Sequence, residues 1–456
     1  MHAPRRFRCD HALLPAGWAH EVVISIDAAG GIVEVAVGDP GSGLPSLGRW
    51  LIPGMPNLHS HAFQRAMAGQ AERIGGDGLD DFWSWRETMY ALAARIDPAS
   101  LHAIAAQLYV EMLAAGYTAV CEFHYVHQRP DGTGYVPASA MSQALLQAAR
   151  DTGIGMTLLP VLYQAGGFDG RALAPRQRRF GHALDDFVAL VAQLRESQDA
   201  QTAVGIAVHS LRAVAPESLA QLLASPVARS GPLHIHIAEQ QREVDDCQRA
   251  RGARPVDWLL DHADVDARWC MVHATHLSDG ERARLAATGA VAGLCPTTEA
   301  NLGDGLFALR EWLDLHGAIG IGSDSHVSVS PIEELRWLEY GQRLQHRRRN
   351  VVASISQPSV GESLWQAALA GGAQASGRPI GAIAPGYRAD LLVLDDAAIA
   401  FAGRETGAVL DAIVFAGNRA LIRDVYVGGQ RVIETGQHVD ATEIARRYRK
   451  SLHELA

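Results

Sequence analysis

Short apolar runs rich in valine, isoleucine and leucine recur along the middle of the chain and alternate with longer stretches of helical spacing. Most runs are apolar throughout, the pattern of strands whose two faces are both covered. The eight predicted strands are Leu51–Leu58, Thr118–Phe123, Gly155–Tyr163, Val204–Leu211, Leu233–Ala238, Trp269–Ala274, Ala290–Cys295 and Ala318–Ser323. The predicted helices between them include Leu101–Ala115, Ala138–Arg150, Ala183–Leu194, Pro216–Leu223 and Pro331–Arg343. Eight strand–helix units predict an α/β fold, a (β/α)₈ TIM-like barrel; no GxGxxG fingerprint favours the alternative, a doubly wound open sheet.

The two ends of the chain show short alternating runs instead. Glu21–Ile26 and Gly31–Val37 predict strands before the barrel, and Ala389–Asp395 and Leu421–Gly436 predict strands after it. We therefore predict a small β-sandwich domain built from both termini. The predicted limits are 1–50 for its first part, 51–384 for the barrel and 385–456 for its second part and the tail.

Composition and charge exclude several classes of protein. A net charge of -10 argues against nucleic acid as a partner. No apolar stretch approaches the length needed to span a membrane, and the basic N-terminus lacks the apolar core of a signal peptide. The five cysteines are scattered without a CxxC pair, which favours a reducing, cytoplasmic location.

The pair His59 and His61 ends the first predicted strand. Residues two apart on a strand point to the same face, so both imidazoles project together, as metal ligands must. Further polar side chains fall at the ends of other predicted strands: Tyr125, His209, Arg212, His236, Glu239, His273 and Asp324. Barrel active sites are built at that face. Imidazoles with a carboxylate predict a catalytic zinc or a similar ion.

These motifs carry a resemblance to a known family. HSH after strand one, HIAE on strand five, a histidine on strand six and SDS on strand eight resemble the amidohydrolase superfamily over essentially the whole chain. More narrowly, HSHAFQRAM, DDFWSWRETMY, CEFHYVH, AVHSLRAV and HIHIAEQ are similar to the deiminases that act on formimidoylglutamate in bacterial histidine degradation. The resemblance implies His59, His61, His236 and Asp324 as metal ligands. Spacing alone leaves His234 as a rival of His236; the family pattern of histidine, two residues and glutamate favours His236.

The predicted number of metal ions follows from the lack of an internal lysine in the sequence. Many superfamily members hold two ions bridged by a carbamylated lysine on strand four, but the only lysine here is Lys450 in the C-terminal tail. One divalent ion per chain is therefore predicted, most simply Zn²⁺, with Fe²⁺ or Mn²⁺ as alternatives. His276 and His326 are predicted to lie outside the ligand set.

The resemblance also implies catalytic and substrate-binding residues. A divalent ion lowers the pKa of bound water; Asp324 would accept the water's proton, Glu239 would exchange protons at the substrate nitrogen, and His273 would stabilise developing charge. This set suits hydrolytic deimination of N-formimino-L-glutamate to N-formyl-L-glutamate and ammonia. The predicted substrate-binding residues are Gln64, Arg86, Tyr125, His209 and Arg212. Two arginines suit a dicarboxylate, because guanidinium binds carboxylate through paired hydrogen bonds.

Two other functions stay open. A nucleobase or aminopurine deaminase would use the same chemistry, and Trp83 and Trp85 are compatible with its aromatic pocket. A non-catalytic amidohydrolase-like scaffold would have lost ligands, which are all present here. A homodimer is common among similar enzymes. The long segment from His61 to Asp97 is interpreted as a loop that acts as a lid over the barrel.

Overall fold

The computed structural model describes residues 4–73 and 81–455. The strands are β1 (Arg5–Leu14), β2 (Gly17–Ile26), β3 (Ile32–Val37), β4 (Ser46–Pro53), β5 (Met55–Ser60), β6 (Tyr117–His124), β7 (Gly155–Leu162), β8 (Thr202–Val204), β9 (Ile206–Ser210), β10 (Leu233–Ile237), β11 (Trp269–His273), β12 (Val291–Leu294), β13 (Ala318–Ile321), β14 (Leu391–Leu394), β15 (Ile422–Val427), β16 (Gln430–Glu434) and β17 (Gln437–His438). The α-helices are α1 (Phe82–Ala93), α2 (Pro98–Ala115), α3 (Ala140–Thr152), α4 (Leu184–Arg195), α5 (Pro216–Ala224), α6 (Gln241–Arg251), α7 (Pro255–His262), α8 (Asp279–Ala286), α9 (Pro296–Leu302), α10 (Leu309–Asp314), α11 (Pro331–His346), α12 (Val360–Ser376), α13 (Val409–Ala416) and α14 (Ala441–Leu455).

A parallel sheet, nearly closed into an eight-stranded barrel, forms the centre of the molecule. Neighbouring strands run in the order β5, β6, β7, β9, β10, β11, β12, β13, and a bridge between Ser60 and Asp324 joins the first strand to the segment after the last. The fourth barrel strand consists of β8 and β9, which are separated at Gly205. A Cβ at Gly205 would lie 2.6 Å from the carbonyl oxygen of Pro232, so only glycine fits this break. The predicted barrel is confirmed.

The terminal strands form a separate eight-stranded sheet in the order β17, β16, β15, β14, β4, β1, β2, β3. The run Leu51–Leu58, predicted as one strand, is in fact two: β4 pairs with β14 in the terminal sheet, and β5 begins the barrel. Gly54 separates them, and a Cβ there would lie 2.2 Å from the Thr118 side chain. Periodicity could not reveal this division, because both halves are buried and apolar. The predicted domain limits stay a prediction.

The segment from His61 to Asp97 is more ordered than the predicted loop. It contains a 3₁₀ turn at Ala62–Met67 and the helix α1, while residues 74–80 lie outside the described part of the chain. Asp81 starts α1: its carboxylate accepts hydrogen bonds from the backbone N–H groups of Trp83 and Ser84. The backbone N–H of Asp81 in turn donates to the Ser84 hydroxyl, which completes a capping box. The prediction that this segment moves as a lid stays untested.

No helix in the described residues combines the length and apolarity that crossing a bilayer requires.

Candidate metal centre and active site

Three imidazoles and one carboxylate converge at the carboxyl ends of the barrel strands. Nε2 of His59 lies 3.2 Å from Nε2 of His61 and 3.0 Å from Nε2 of His236. Oδ1 of Asp324 lies 3.4 Å from Nε2 of His59 and 3.3 Å from Nε2 of His61. All four side chains are buried. The structure thus brings together the four residues that the resemblance implied as ligands.

The hydrogen bonds of the rings show which nitrogens face the centre as acceptors. Nδ1–H of His61 donates to the carbonyl of Phe123 at 2.9 Å, and Nδ1–H of His236 donates to the carbonyl of His209 at 3.0 Å. Each bond leaves a lone pair on Nε2 that points into the cluster. Burial, together with the neighbouring imidazoles, lowers the pKa of His59 and of His236 well below the usual value, so these rings are neutral. Converging lone pairs repel unless a cation lies among them, and this donor set fits Zn²⁺.

His234, the rival of His236, lies elsewhere. Its Nε2–H donates to the carbonyl of Ala375 at 2.8 Å, and its side chain is completely buried. It is absent from the groups of described residues whose ligand atoms lie within 4.8 Å of one another, which include the set His59, His61 and His236. The structure therefore separates two histidines that spacing alone could not distinguish.

Several non-glycine residues at these strand ends have a left-handed backbone. The φ angles are 52° at Ala238, 67° at His273, 44° at Asp324 and 61° at His326. Such conformations cost about 1–3 kcal/mol each and persist where the surrounding structure holds them. They turn the chain out of each strand and direct the side chains of His273 and Asp324 into the site.

His273 lies among three carboxylates. Its Nδ1 is 3.2 Å from Oε1 of Glu299, and its Nε2 is 3.7 Å from Oε1 of Glu239 and 3.9 Å from Oδ2 of Asp324. Burial alone would lower the pKa of His273, but Glu239 and then the other carboxylates raise it above the usual value, which favours the charged ring. Burial raises the pKa of Glu239. The pair is thus an ionisable donor next to a carboxyl group that can exchange protons.

A cleft of about 790 Å³ opens above the metal centre. Its wall includes the remaining predicted site residues, which are Gln64, Arg86, Tyr125, His209, Arg212, Glu239 and His273. Gln64 Nε2 donates to the Tyr125 hydroxyl at 2.9 Å, and the His209 ring packs edge-on against Tyr163, with centroids 4.5 Å apart. Of the predicted site residues, only His59 does not line the cleft, because it lies beneath the other ligands.

Arg86 and Arg212 bring two positive charges to this cleft. Over residues 4–73 and 81–455, neither forms an ion pair with a carboxylate within 4.0 Å. The guanidinium of Arg86 lies 4.2 Å from the ring centroid of Trp83, and that of Arg212 lies 5.8 Å from it. Burial lowers the pKa of Arg86, and the nearby Arg212 contributes to this shift. Two partly buried cations that form no direct ion pair with a carboxylate of the described residues favour an anionic ligand.

Sequence reasoning missed three carboxylates near the site. Glu299 bonds to His273, and Glu122 accepts hydrogen bonds from Ser60 and Ala62, the residues on either side of His61. Asp304 accepts a hydrogen bond from Gln240, and burial together with Glu239 raises its pKa. Glu122 was detectable as a charged residue within a buried strand. Glu299 and Asp304 follow β12, a strand end to which no polar group was assigned.

Comparisons with known proteins agree with this geometry. The model of the amidohydrolase family matches residues 50–432. The chain is 51% identical to formimidoylglutamate deiminase of Pseudomonas aeruginosa over 447 residues, covering 98% of each chain. A crystal structure of an amidohydrolase from Brucella melitensis superposes with a TM-score of 0.93 at 45% identity, covering 99% of each chain. An adenosine deaminase of Xanthomonas campestris with bound zinc shares the fold, with a TM-score of 0.82 at 20% identity over 99% of this chain and 98% of that one.

Proposed function

The chain belongs to the amidohydrolase family, and we propose that it is a metal-dependent deiminase that hydrolyses N-formimino-L-glutamate to N-formyl-L-glutamate and ammonia. The observation that carries the proposal is the pair Arg86 and Arg212, which in the described residues form no ion pair with a carboxylate within 4.0 Å and face the same cleft as the His₃Asp cluster. The similarity to a formimidoylglutamate deiminase supports the same substrate. The reaction would be a step of histidine degradation.

His59, His61, His236 and Asp324 would hold one divalent ion, which we propose to be Zn²⁺. When bound, the ion supplies a Lewis acid that lowers the pKa of the attacking water. A second ion bridged by a carbamylated lysine has no support, because the chain has no lysine before Lys450.

Three side chains would move or stabilise charge during the reaction. Asp324 accepts a proton from the attacking water at its carboxylate. Glu239 delivers a proton to the terminal nitrogen of the formimino group, so that the carbon–nitrogen bond breaks and ammonia leaves. His273, oriented by Glu299, donates a hydrogen bond from Nε2 to the atom that gains negative charge. One water is consumed, and the formyl oxygen comes from it.

Substrate orientation would depend on the polar wall of the cleft. Arg86 and Arg212 each bind a carboxylate of the substrate. Tyr125, bonded to Gln64, and His209 add hydrogen bonds between the carboxylates and the metal centre. Because these groups lie on α1 and on three different strand ends, a bound dicarboxylate would have a defined distance to the catalytic residues.

Analysis of the products by NMR tests the reaction directly. We expect N-formyl-L-glutamate, recognised by its retained formyl proton, together with one equivalent of ammonia. Free glutamate and formamide as first products would contradict the proposal, since they require cleavage of the other carbon–nitrogen bond.

Truncation of Arg212 or Arg86 to alanine is expected to remove a charge-assisted hydrogen-bonded pair. The expected loss is about 2–4 kcal/mol of transition-state stabilisation, or roughly 30- to 900-fold in kcat/KM. Part of it should appear in kcat, because binding energy from the carboxylates positions the formimino carbon. The measurement is steady-state ammonia release from N-formimino-L-glutamate.

Arg176→Ala is the matched control, because Arg176 contacts the same helix through a surface pair with Glu87 at 2.9 Å. Such exposed pairs contribute under about 1 kcal/mol, so this variant should behave like the native protein. An uncharged formamidine should be a poor substrate of the native enzyme, and Arg212→Ala should discriminate less against it. Normal kinetics in both cleft variants would rule out carboxylate binding by these arginines.

The main alternative is a nucleobase or aminopurine deaminase, which Trp83 and Trp85 in the cleft wall would suit. The face of Trp83 is covered by the guanidinium of Arg86, which argues against stacking of a base there. Ammonia release from guanine and cytosine, compared with release from N-formimino-L-glutamate, separates the two functions. A homodimer and a cytoplasmic location stay predictions.

A further inference from the structure

The barrel closes at a seam between β5 and residues 322–326, the segment that follows β13. Backbone contact across this seam is brief: His61 N–H donates to Asp324 O at 3.2 Å, and Asp324 N–H donates to His59 O at 3.0 Å. The seam separates the histidine pair from the carboxylate of the same metal centre. The rigidity of the seam therefore determines how closely the four proposed ligands keep their positions relative to one another.

Five buried polar side chains form a continuous hydrogen-bonded chain across the seam, which we call the seam network. Its members, in order, are Asn57, Ser323, His326, Ser60 and Glu122. The four successive distances are 2.6 Å from Asn57 Nδ2 to Ser323 Oγ, 3.0 Å from Ser323 Oγ to His326 Nδ1, 3.2 Å from His326 Nε2 to Ser60 Oγ, and 2.6 Å from Ser60 Oγ to Glu122 Oε2. All five are at most 2% exposed.

The donors and acceptors of the seam network have a single consistent direction. Asn57 Nδ2 can only donate, so the Ser323 oxygen accepts and its O–H is directed to Nδ1 of His326. At the other end, the Ser60 O–H donates to the carboxylate of Glu122, so the Ser60 oxygen accepts from Nε2–H of His326. His326 is thereby assigned as the neutral ring with hydrogen on Nε2. Each donor in the network thus faces an acceptor, and the carboxylate of Glu122 only accepts.

Both ends of the network are bonded to the backbone beside the ligands. Oδ1 of Asn57 accepts from the backbone N–H of Ser323 at 3.1 Å and of His59 at 3.3 Å. Glu122 Oε1 accepts from the backbone N–H of Ala62, next to His61, at 2.7 Å. The network is thus hydrogen-bonded to the backbone on both sides of the seam, within one residue of three proposed ligands.

We propose that the seam network is a positioning device for the metal centre, in which Glu122 and His326 hold the histidine pair and the carboxylate of Asp324 in one fixed arrangement. This inference rests on the proposed metal site but not on the identity of the substrate. The left-handed backbone at Asp324 and His326 needs such support, because each residue would relax toward ordinary φ values if it were free. Groups that orient metal ligands typically change metal affinity about 10- to 100-fold when they are removed.

Removal of single hydroxyls tests the proposal with little risk to folding. In zinc-loaded Ser60→Ala and Ser323→Ala, release of zinc to an excess of a chromogenic chelator should be about 10- to 100-fold faster than in the native protein. Ser60→Thr, which keeps the hydroxyl, should restore slow release. Cobalt-substituted Ser60→Ala should also show altered visible absorption, which reports ligand geometry and which a loss of global stability alone would not change.

Matched controls separate positioning from general loss of buried polar contacts. Ser376 is a buried serine whose hydroxyl donates to Ala373 O at 2.7 Å, remote from the metal centre. His438 is a buried histidine bonded at both ring nitrogens, at 3.0 Å and 3.1 Å, in the terminal sheet. Ser376→Ala and His438→Gln should release zinc at the native rate, whereas His326→Gln should release it faster.

The outcomes distinguish this inference from the proposed function. Release within about twofold of the native rate in both serine variants, with unchanged cobalt spectra, would overturn the positioning role while leaving the metal site intact. A native protein that binds no divalent ion would overturn the proposed metal site and this inference together. Fast release from the seam variants with normal product chemistry would support both.

Discussion

Replacement of His61 by alanine is expected to abolish tight metal binding and to lower kcat by roughly 10³-fold or more. The Nε2 atoms of His59 and His61 are 3.2 Å apart, so the variant loses one of three imidazoles at the centre of the cluster. A catalytic ion contributes several kcal/mol to stabilisation of the transition state, and each 1.36 kcal/mol is about tenfold in rate. Metal content by elemental analysis and turnover should therefore fall together.

His234→Ala provides the control for this experiment. It removes a buried histidine from the same barrel, but one whose Nε2–H is bonded to the carbonyl of Ala375. We expect this variant to keep its metal, whatever it loses in stability. Metal-saturated native protein should contain about one equivalent per chain. Two equivalents that are both required for activity would contradict the mononuclear site. Loss of metal from His234→Ala would mean that His234, and not His236, is the ligand.

Replacement of Glu239 by glutamine is expected to lower kcat by roughly 10²- to 10⁴-fold while the metal is retained. The amide keeps the shape of the side chain but cannot deliver a proton to the leaving nitrogen. Oε1 of Glu239 lies 3.7 Å from Nε2 of His273, so the substitution also removes a carboxylate that favours the charged imidazole. Turnover and metal content, measured on the same preparation, check the loss of kcat and the retention of the metal.

Glu243→Gln is the matched control, because Glu243 lies in the first turn of α6, four residues after Glu239, and lines the same cleft. Its carboxylate accepts a hydrogen bond from the backbone N–H of Glu239 at 3.1 Å and has no proposed part in proton transfer. The loss of kcat should be much smaller in this variant. Near-native turnover in Glu239→Gln, or equal losses in both variants, would remove Glu239 from the proton-transfer step.

Local sequence pattern was sufficient for much of the fold. Continuous apolar runs identify parallel barrel strands because both faces of such strands are covered, and the eight predicted runs correspond to the strands of the barrel. The same rule failed at Gly54, where one apolar run serves two sheets. It also gave no sign of α1, whose start depends on the capping box of Asp81 and Ser84.

For the candidate site, too, some features follow from local sequence pattern and others depend on the folded structure. That histidines and a carboxylate follow the barrel strands was predictable from local pattern, because strand ends and residue types are both local properties. The folded arrangement was needed to show that His236 rather than His234 joins the cluster and that Glu122 and His326 belong to one buried chain. It was also needed to show that Arg86 and Arg212 form no ion pair with a carboxylate of the described residues. These features are distances between residues far apart in sequence, such as the 3.2 Å contact between Ser60 and His326. Such contacts are created when the first and eighth strands meet, and no local pattern encodes them.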